Sequence, residues 1–518
     1  MKGKPNIILI AMDAVRAQNL SCYGHKRKTT PKIEDNILPQ SVLYKNAISS
    51  SYWTIPSFTS MFTGTYTSKH GSEVGGDVLS PDLMTMAEIL KSKGYFTIGL
   101  CKNIHVSSFS GLDRGFDIFY DYRSFDTFYE KLYNKLVLRL RPKKKTAENQ
   151  KGGKSKKIEG IPYPKSGGIL QEFEKTALYK KVFWVLTRSM DRGARAINET
   201  VFDLIPKIKG SPFFIFIHYG EAHTPYVIPE PYRQKNLTIE MKNREPWNVN
   251  QDPLRHFLNE IRMDELDFDI LRALYDGAIN YLDEKIYEIY SYLDDEQLLD
   301  DTMLILTSDH GDNLGEHGLM FHWWWFSLRE LNCGFLYDTL IKVPMIIKYP
   351  RDFGLSGKED KVVQNVDLLP TIMDILEVKA KNLLNQIQGN SLFSENIRRR
   401  NSSYGISELT KRSHWITPLS KGSKIESSRH DRIFRICIRS KEKKYILASD
   451  GEDEFYDLKE DPNECANLID SGDPSISEFR KELEPWLRAL DETQERGKPQ
   501  RSKIDEEIKE RLRKLGYI

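Results

Sequence analysis

Three short apolar runs in the chain end abruptly in polar residues of the kinds that bind metal ions. The runs and the residues that follow them are Ile7–Met12 with Asp13, Phe213–Ile217 with His218, and Met303–Leu306 with Asp309 and His310. Continuous apolar runs of this length, followed by turn residues, are typical of strands that are buried on both faces of a sheet.

Helical patterns separate these runs, at Leu83–Lys93 and Tyr275–Leu293. Strands that alternate with helices predict an α/β fold with a large, mostly parallel sheet covered by helices on both sides. Ligands of such sheets bind at the carboxyl ends of the strands. We therefore expect the polar residues that follow the three runs to lie around one site.

The pattern changes after Leu376. Short strands are predicted at Ile433–Ile438 and Lys444–Ala448, and helices at Pro474–Leu490 and Ile504–Leu515. This arrangement predicts a catalytic domain over residues 1–375 and a smaller C-terminal subdomain of sheet and helices over residues 376–518.

Composition narrows the classes of function. The 518 residues include 76 Lys and Arg against 74 Asp and Glu, a net charge of +2, which argues against a protein dedicated to nucleic acid. No apolar run approaches the roughly 18 residues that a membrane span needs. Five cysteines, an odd number without metal-binding spacing, favour free thiols in a reducing compartment, so we expect a cytoplasmic enzyme.

One segment departs from this balance of charge. Arg139–Lys157 carries nine basic residues and one acidic residue around a Gly-Gly pair, and it indicates an insertion near residues 139–165. A solvated insertion loop is the simpler interpretation, and a patch that binds an anionic surface is the alternative. The tryptophans Trp323–Trp325 likewise predict either a wall over the site or packing within an insertion.

Thr54 is the candidate nucleophile. Pro56 suits the first turn of a helix and Gly64 its end, so Thr54 is expected at or beside the N-cap. A hydroxyl there lies at the positive end of the helix dipole, and a divalent cation would make it a nucleophile near neutral pH. A plain threonine N-cap is the alternative.

Asp13, Asp309 and His310 form a candidate metal centre. Carboxylate oxygens together with an imidazole nitrogen suit Mn²⁺, Zn²⁺ or Fe and tolerate Mg²⁺ or Ca²⁺. The alternatives are a helix N-cap for Asp13 and a buried pair without metal for Asp309 and His310.

Three further histidines are candidates for binding substrate or moving protons. His218 follows a strand, His223 lies in a turn bounded by Pro225, and His322 follows the Asp-His stretch closely. Each could ligate a second metal, bind an oxyanion or protonate a leaving group, and a structural role is the alternative.

In their order along the chain, these pieces resemble the sulfatase family of the alkaline phosphatase superfamily. The most specific stretch is Ser308–Gly311 together with Gly315–Gly318. The other matching pieces are Cys22–Gly24, Thr30–Pro31, Pro56–Ser57, Thr63–Gly64, His70–Gly71, Gly115–Asp117, His223–Tyr226, Val343–Pro344, Asp367–Thr371, Glu454–Leu458, Asp461–Pro462, Asn467–Leu468 and Leu515–Tyr517.

The resemblance implies an alkaline-phosphatase-like mixed sheet between helices, with a smaller C-terminal sheet. It also implies metal ligands at Asp13, Asp309 and His310 and a nucleophile at Thr54, whose oxygen would contact the metal as well. His223 and His322 match positions that line the charged group of the substrate in similar enzymes.

The chain departs from the family at the nucleophile. The family frame Cys/Ser-x-Pro-x-Arg, whose first residue becomes formylglycine, here reads Thr54–Phe58. Threonine carries a β-methyl group and cannot form that aldehyde, so no formylglycine is expected. Phe58 replaces the arginine, and Ala14 replaces an acid after Asp13. An unmodified threonine resembles instead the phosphodiesterases, phosphoglycerol transferases and phosphoethanolamine transferases of the superfamily.

The sequence therefore predicts a hydrolase of sulfate or phosphate esters that uses one divalent cation (Mn, Zn, Ca or Mg). Its substrate would be an anionic ester of a small molecule, a glycan or a lipid headgroup. The alternatives are a transferase that works at a membrane surface through Arg139–Lys157, and an idle homologue that binds metal or an anionic glycan.

Overall fold

The computed structural model describes residues 3–73, 77–121, 124–125, 177–257, 260–322, 336–393, 403–412 and 432–495. The predicted basic insertion, Trp323–Trp325 and the predicted helix Ile504–Leu515 lie outside these residues.

A large mixed sheet of nine strands forms the centre of the fold. The strands are β1 (Asn6–Met12), β2 (Val42–Ile48), β3 (Phe96–Cys101), β4 (Ile118–Tyr120), β5 (Phe213–Tyr219), β6 (Thr302–Thr307), β7 (Lys342–Val343), β8 (Met345–Lys348) and β9 (Gly357–Gln364). Their order is β4-β3-β5-β1-β6-β8-β2-β7, with β9 also paired to β2. β1 pairs in parallel with β5 and β6, while β8 runs antiparallel to β6 and β2. The predicted fold class is confirmed.

The three apolar runs become the middle strands β5, β1 and β6. Ile8 and Ile10 of β1 pack into the core on one face of the sheet, and Ile7 and Leu9 pack into the core on the other. Successive side chains of a strand point to opposite faces, so a strand covered on both sides must be apolar throughout.

Thirteen α-helices surround the sheets in the part of the chain that the structure describes. They are α1 (Thr54–Thr63), α2 (Thr67–His70), α3 (Met86–Ser92), α4 (Ala177–Leu186), α5 (Ala194–Ile208), α6 (Tyr232–Lys235), α7 (Ile239–Asn243), α8 (Pro253–Phe257), α9 (Glu265–Asp295), α10 (Asp338–Ile341), α11 (Leu368–Ile375), α12 (Lys381–Gln386) and α13 (Pro474–Glu495). None of these helices combines the length and the apolar character that crossing a membrane requires.

The long helix α9 includes the predicted helix Tyr275–Leu293 but begins at Glu265. A reciprocal capping box between Asp264 and Asp267 sets this earlier start, because it satisfies backbone N–H groups of the first turn. Polar side chains on α9 bind the backbone that follows β1. Tyr275 bonds to the turn after Asp13, and Asp283 accepts bonds from the N–H groups of Lys32 and Ile33 at 2.9 Å each.

A separate antiparallel sheet forms the C-terminal part, with α13 packed against it. Its strands, in order, are β10 (Tyr404–Arg412), β11 (Arg432–Ser440), β12 (Lys443–Ala448) and β13 (Glu454–Asp457). The smaller C-terminal sheet is confirmed, and the domain boundary near residue 376 stays a prediction.

Strand β10 also bonds directly to the loop that precedes α1. The backbone N–H of Glu408 donates to the carbonyl oxygen of Ser50 at 2.9 Å, and the hydroxyl of Ser51 donates to the carbonyl oxygen of Glu408 at 2.7 Å. Ser407 donates to the carbonyl oxygen of Ser49. The C-terminal sheet therefore fixes residues 49–51, which lead into the helix of the candidate nucleophile.

A buried cluster of four charges joins α10 to the same sheet. The Asp338 carboxylate lies 2.8 Å from the Arg439 guanidinium and 3.1 Å from the Lys444 ammonium group, which also pairs with Glu464. Two acids balance two bases, and each buried charge has a partner. Such a cluster ties the parts together because separating one pair leaves a charge buried alone.

Candidate functional site

Asp13, Asp309 and His310 meet at the carboxyl edge of the large sheet. The parallel register places Ala11 of β1 opposite both His218 of β5 and Thr307 of β6, so the three strands end at the same level. One ligand atom from each of Asp13, Asp309 and His310 lies within 4.8 Å of the others, and all three side chains are buried. The structure thus brings together the predicted ligands.

In each of these two carboxylates, one oxygen accepts a hydrogen bond and the other has no hydrogen-bond partner among the described residues. Oδ1 of Asp309 accepts bonds from the backbone N–H groups of Ala14 at 3.2 Å and His310 at 3.0 Å. Oδ2 of Asp13 accepts a bond from the side-chain amide of Asn103 at 2.9 Å. Oδ1 of Asp13 and Oδ2 of Asp309 are buried without a hydrogen-bond partner among the described residues.

Those two oxygens both lie near Nε2 of His310, at 3.8 Å for Asp13 and 3.4 Å for Asp309. A buried carboxylate oxygen without a partner is costly unless a cation or a proton meets it. The donor set is two carboxylates and one imidazole, so these residues fit a divalent cation of the predicted kinds.

The electrostatics of the group favour a positive charge. Burial raises the pKa of Asp309. Burial alone would lower the pKa of His310, but Asp309 and Asp13 outweigh it and raise that pKa. Burial also opposes the ionisation of Asp13, yet the hydrogen bond from His218 and the charge of His310 help to hold its pKa well below the ordinary value. The two carboxylates thus favour a positive charge at this position, and a metal ion would supply that charge.

The ring of His310 is oriented for coordination. Its Nδ1 lies 2.7 Å from the carbonyl oxygen of Gly311, which fixes Nδ1 as a donor and leaves Nε2 as the ring nitrogen that faces the carboxylates. Gly311 is required here, because a Cβ atom at this position would lie 2.1 Å from the carbonyl oxygen of Thr339.

Thr54 lies beside this group. It is the first residue of α1, and its Oγ1 is 3.4 Å from Nε2 of His310. Trp53 is the N-cap, so the interpretation of Thr54 as a plain N-cap is wrong. The helix ends as predicted at Gly64, whose φ of 67° is the left-handed conformation that glycine adopts readily.

Serine hydroxyls hold α1 against the metal-ligand loop. The hydroxyls of Ser49 and Ser57 lie 3.0 Å apart, and Ser49 donates to the carbonyl oxygen of Asp309. The first turn of α1 is therefore linked to the candidate centre through one residue, which is itself held by β10.

The other predicted histidines surround the centre. Nε2 of His218 lies 3.3 Å from Oδ2 of Asp13. The ring of His322 lies 4.2 Å from that of His310 and 5.0 Å from that of His223, measured between ring centroids.

His223 and His322 are neutral imidazoles. Nδ1 of His223 lies 2.7 Å from the carbonyl oxygen of Thr224, and Nδ1 of His322 lies 2.9 Å from a carboxylate oxygen of Asp312. Burial lowers the pKa of His223 to about 4 and holds that of His322 well below its ordinary value. A carbonyl oxygen can only accept, so Nδ1 of His223 donates and its Nε2 carries no proton. Burial raises the pKa of Asp312 to about 7, and His322 has the same tautomer when Asp312 is ionised.

Asn103 and Tyr275 belong to this site and were not among the predicted residues. Asn103 follows β3, whose end lies beside His218, so the rule that identified Asp13 and His218 also applies to it. Tyr275 lies within a long helix, and no sequence signal distinguishes it from the apolar residues around it.

Comparison with known proteins places the chain in a family. The model for the family described as Sulfatase matches residues 5–378. The chain belongs to the sulfatase family. A second model, described as N-sulphoglucosamine sulphohydrolase, C-terminal, matches residues 322–493.

Similar proteins span nearly the whole length of this sulfatase-family chain. An arylsulfatase from Clostridium perfringens is 24% identical over 507 residues, which cover 94% of this chain and 93% of the relative. An N-acetylglucosamine-6-O-sulfatase from Bacteroides thetaiotaomicron is 23% identical, with coverage of 96% and 87%. The phosphonate monoester hydrolase of Agrobacterium radiobacter shares the fold, with a TM-score of 0.64 at 19% identity and coverage of 94% and 95%. The chain is thus a sulfatase-like ester hydrolase.

The departures at the nucleophile have a structural counterpart. Phe58, where the family frame has arginine, is buried, and its ring packs against Phe62, Phe216 and His218 at centroid distances of 5.4–6.0 Å. This side of α1 is therefore apolar core, and Phe58 offers no charged group to an aldehyde hydrate.

Proposed function

We propose that this enzyme is a metal-dependent hydrolase of phosphate or sulfate esters in which unmodified Thr54 is the nucleophile. The observation that carries the proposal is the position of the Thr54 hydroxyl, 3.4 Å from an imidazole nitrogen that adjoins two carboxylate oxygens with no hydrogen-bond partner among the described residues. Asp13, Asp309 and His310 would hold the cation. A bound divalent cation lowers the pKa of an oxygen that it contacts and neutralises charge on an ester group.

The Thr54 oxygen attacks the phosphorus or sulfur atom in line with the bond to the leaving oxygen. The bond from Thr54 to that atom forms as the bond to the leaving oxygen breaks. Since Thr54 is the first residue of α1, the positive end of the helix dipole lies close to the charge that develops on the ester oxygens.

The neutral imidazoles of His223 and His322 provide proton transfer. An unprotonated Nε2 accepts the proton that Thr54 releases, and the leaving oxygen, which lies on the opposite side of the reaction centre, takes a proton from water. In the second half of the reaction a water molecule attacks the threonyl ester and releases its proton to solvent. The bond from Thr54 to the reaction centre breaks, the inorganic anion is released, and the protonated Nε2 returns its proton to the Thr54 oxygen.

Phosphorus is the favoured reaction centre. A threonyl phosphate is hydrolysed by water in the manner just described. A sulfated formylglycine hydrate can expel sulfate by reforming the aldehyde, and a threonyl sulfate has no such route. The similarity in fold to a phosphonate monoester hydrolase supports the same choice, and the sulfatase relatives support sulfate.

The test is a panel of aryl phosphate monoesters, phosphate diesters, phosphonate monoesters and sulfate esters. The protein is stripped with EDTA and assayed with Mn²⁺, Zn²⁺, Ca²⁺ or Mg²⁺. We expect turnover that depends on the added metal and is highest with a phosphorus ester. Turnover of none of these esters with any metal would favour the idle homologue.

Thr54→Ala is expected to reduce kcat by about 10³-fold or more, while Thr54→Ser keeps measurable turnover, because only the loss of the hydroxyl removes the nucleophile. Thr59→Ala is the matched control. Its hydroxyl lies on the same helix and donates to the carbonyl oxygen of Ile55 at 2.7 Å, so kcat should stay close to that of the wild type. Full turnover by Thr54→Ala would refute the assignment of the nucleophile.

A further inference from the structure

The turn that follows Asp13 has a backbone conformation that side chains disfavour. Ala14 has a φ of 61°, in the left-handed region that residues other than glycine avoid. Its side chain is fully buried. A residue stays in this conformation only where its surroundings hold it there.

Tyr275 holds one side of the turn. Its hydroxyl donates to the carbonyl oxygen of Ala14 at 2.7 Å and accepts a bond from the backbone N–H of Arg16 at 2.9 Å. The Tyr275 side chain is fully buried. Its ring centroid lies 5.9 Å from that of Tyr226 and 5.7 Å from the guanidinium carbon of Arg16. The Tyr275 hydroxyl oxygen thus forms hydrogen bonds with both ends of the turn, at Ala14 and at Arg16.

The other side of the turn contacts the metal-ligand loop. The N–H of Ala14 donates to Oδ1 of Asp309 at 3.2 Å, and the N–H of Val15 donates to the hydroxyl of Ser308 at 3.0 Å. The left-handed conformation of Ala14 therefore presents its N–H to one candidate ligand while it follows directly after the other, Asp13. Rotation of Ala14 to a negative φ would break the bond to Asp309 and turn Asp13 away.

We propose that Tyr275 is a positioning residue for the metal centre. Its hydroxyl keeps Ala14 in the left-handed conformation and so sets the position of the Asp13 carboxylate relative to that of Asp309. The inference rests on the proposed function, because it takes these carboxylates to be cation ligands. Hydrogen-bond partners that orient metal ligands typically affect affinity by about 10- to 100-fold.

The test compares four full-length variants with the wild type. They are Tyr275→Phe, Ala14→Gly, the double variant, and Tyr292→Phe as the matched control. Tyr292 lies on the same helix, and its hydroxyl donates to the carbonyl oxygen of Phe202 at 3.1 Å, away from the centre. The readouts are the Kd for Mn²⁺ by calorimetry, the melting temperature in EDTA, and kcat/KM as a function of Mn²⁺ concentration.

Tyr275→Phe is expected to weaken Mn²⁺ binding by about 10-fold or more, and Tyr292→Phe by less than about 3-fold. Glycine adopts positive φ without strain, so Ala14→Gly in the Tyr275→Phe background should restore the Kd to within about 3-fold of the wild type. The melting temperature should stay low in the double variant, because the buried bonds of the Tyr275 hydroxyl remain lost. If the double variant recovers its affinity for Mn²⁺ but not its melting temperature, Tyr275 positions the metal ligands and does not act only by stabilising the core.

Wild-type affinity in Tyr275→Phe would overturn the inference, and so would a double variant that binds as weakly as Tyr275→Phe. A double variant that does not fold would also overturn it, since Tyr275 would then support the fold as a whole. If Tyr275→Phe alone does not fold, the double variant is compared with Ala14→Gly, and a Kd about 10-fold weaker refutes the proposal. A wild-type protein that binds none of the four cations overturns the proposed function and this inference with it.

Discussion

Replacing Asp309 by asparagine should change metal affinity and the stability of the metal-free protein in opposite directions. Asparagine keeps an oxygen that can accept the bonds from the N–H groups of Ala14 and His310, so the geometry of the loop is preserved. The substitution removes only the charge and places an amide where Oδ2 has no hydrogen-bond partner among the described residues.

The magnitude follows from charge and distance. A divalent cation carries two charges, and even two unit charges about 4 Å apart interact by about 4 kcal/mol at the effective dielectric of a protein. Removing the charge of Asp309 should therefore weaken the Kd by roughly 10³-fold or more. In the metal-free protein the same substitution should instead stabilise the fold. Burial raises the pKa of Asp309, so its ionised form at neutral pH costs folding free energy that the substitution recovers.

Calorimetric titration with Mn²⁺ and thermal melting in EDTA measure the two effects. Asp309→Asn should lose most of the Mn²⁺ affinity while its melting temperature in EDTA equals or exceeds that of the wild type. Asp283→Asn is the matched control, because burial raises the pKa of that carboxylate to about 6 and it likewise accepts two backbone N–H bonds, away from the centre. The reasoning fails if Asp309→Asn binds Mn²⁺ like the wild type, or if it melts well below the wild type in EDTA.

Three further predictions follow from other contacts. Although burial raises the pKa of Asp338, Arg439 and its neighbours hold it well below 3.8, so its stabilising effect is present above that pH and is lost as the pH falls. Asp338→Asn should cost about 3–5 kcal/mol in urea denaturation at pH 7 and about 1 kcal/mol less near pH 3, where the unfolded chain is already largely protonated at this position, and an equal cost at both pH values would contradict this. Because burial lowers the pKa of His223 to about 4, kcat/KM should stay level from about pH 7 to about pH 5 and fall toward pH 4, whereas a fall centred near pH 6.5 would argue against a neutral His223. Ser51→Ala, which removes the 2.7 Å bond to the carbonyl oxygen of Glu408, should cost about 1 kcal/mol of stability and lower kcat several-fold, and an unchanged kcat would show that this contact does not affect Thr54.

Local pattern was sufficient to predict the sheet and the residues at its edge. The strand ends of Ile7–Met12 and Met303–Leu306 predict that Asp13 and Asp309 meet, because parallel register brings their carboxyl ends to one level. The start of α1 near Thr54 follows from Pro56 and Gly64. These features depend on short-range periodicity and on rules of turns and caps, which the sequence displays directly.

Long-range contacts explain what the sequence did not predict. Tyr275 acts on Ala14 across 261 residues, and its environment in α9 resembles that of any buried aromatic residue. The bonds from β10 to Ser49–Ser51 depend on which loop meets which strand edge after folding. Apolar periodicity records that a face is buried but not which segment covers it, so the roles of these residues depend on tertiary structure.

The bonds between β10 and the loop before α1 also bear on when the enzyme becomes active during synthesis. Ser51 is synthesised well before its partner Glu408, which follows 357 residues later. The nascent polypeptide therefore completes the support of its nucleophile only after β10 has been translated. Prematurely terminated products that lack this strand would carry every candidate metal ligand and yet have an unsupported Thr54, so translation errors would release few active fragments.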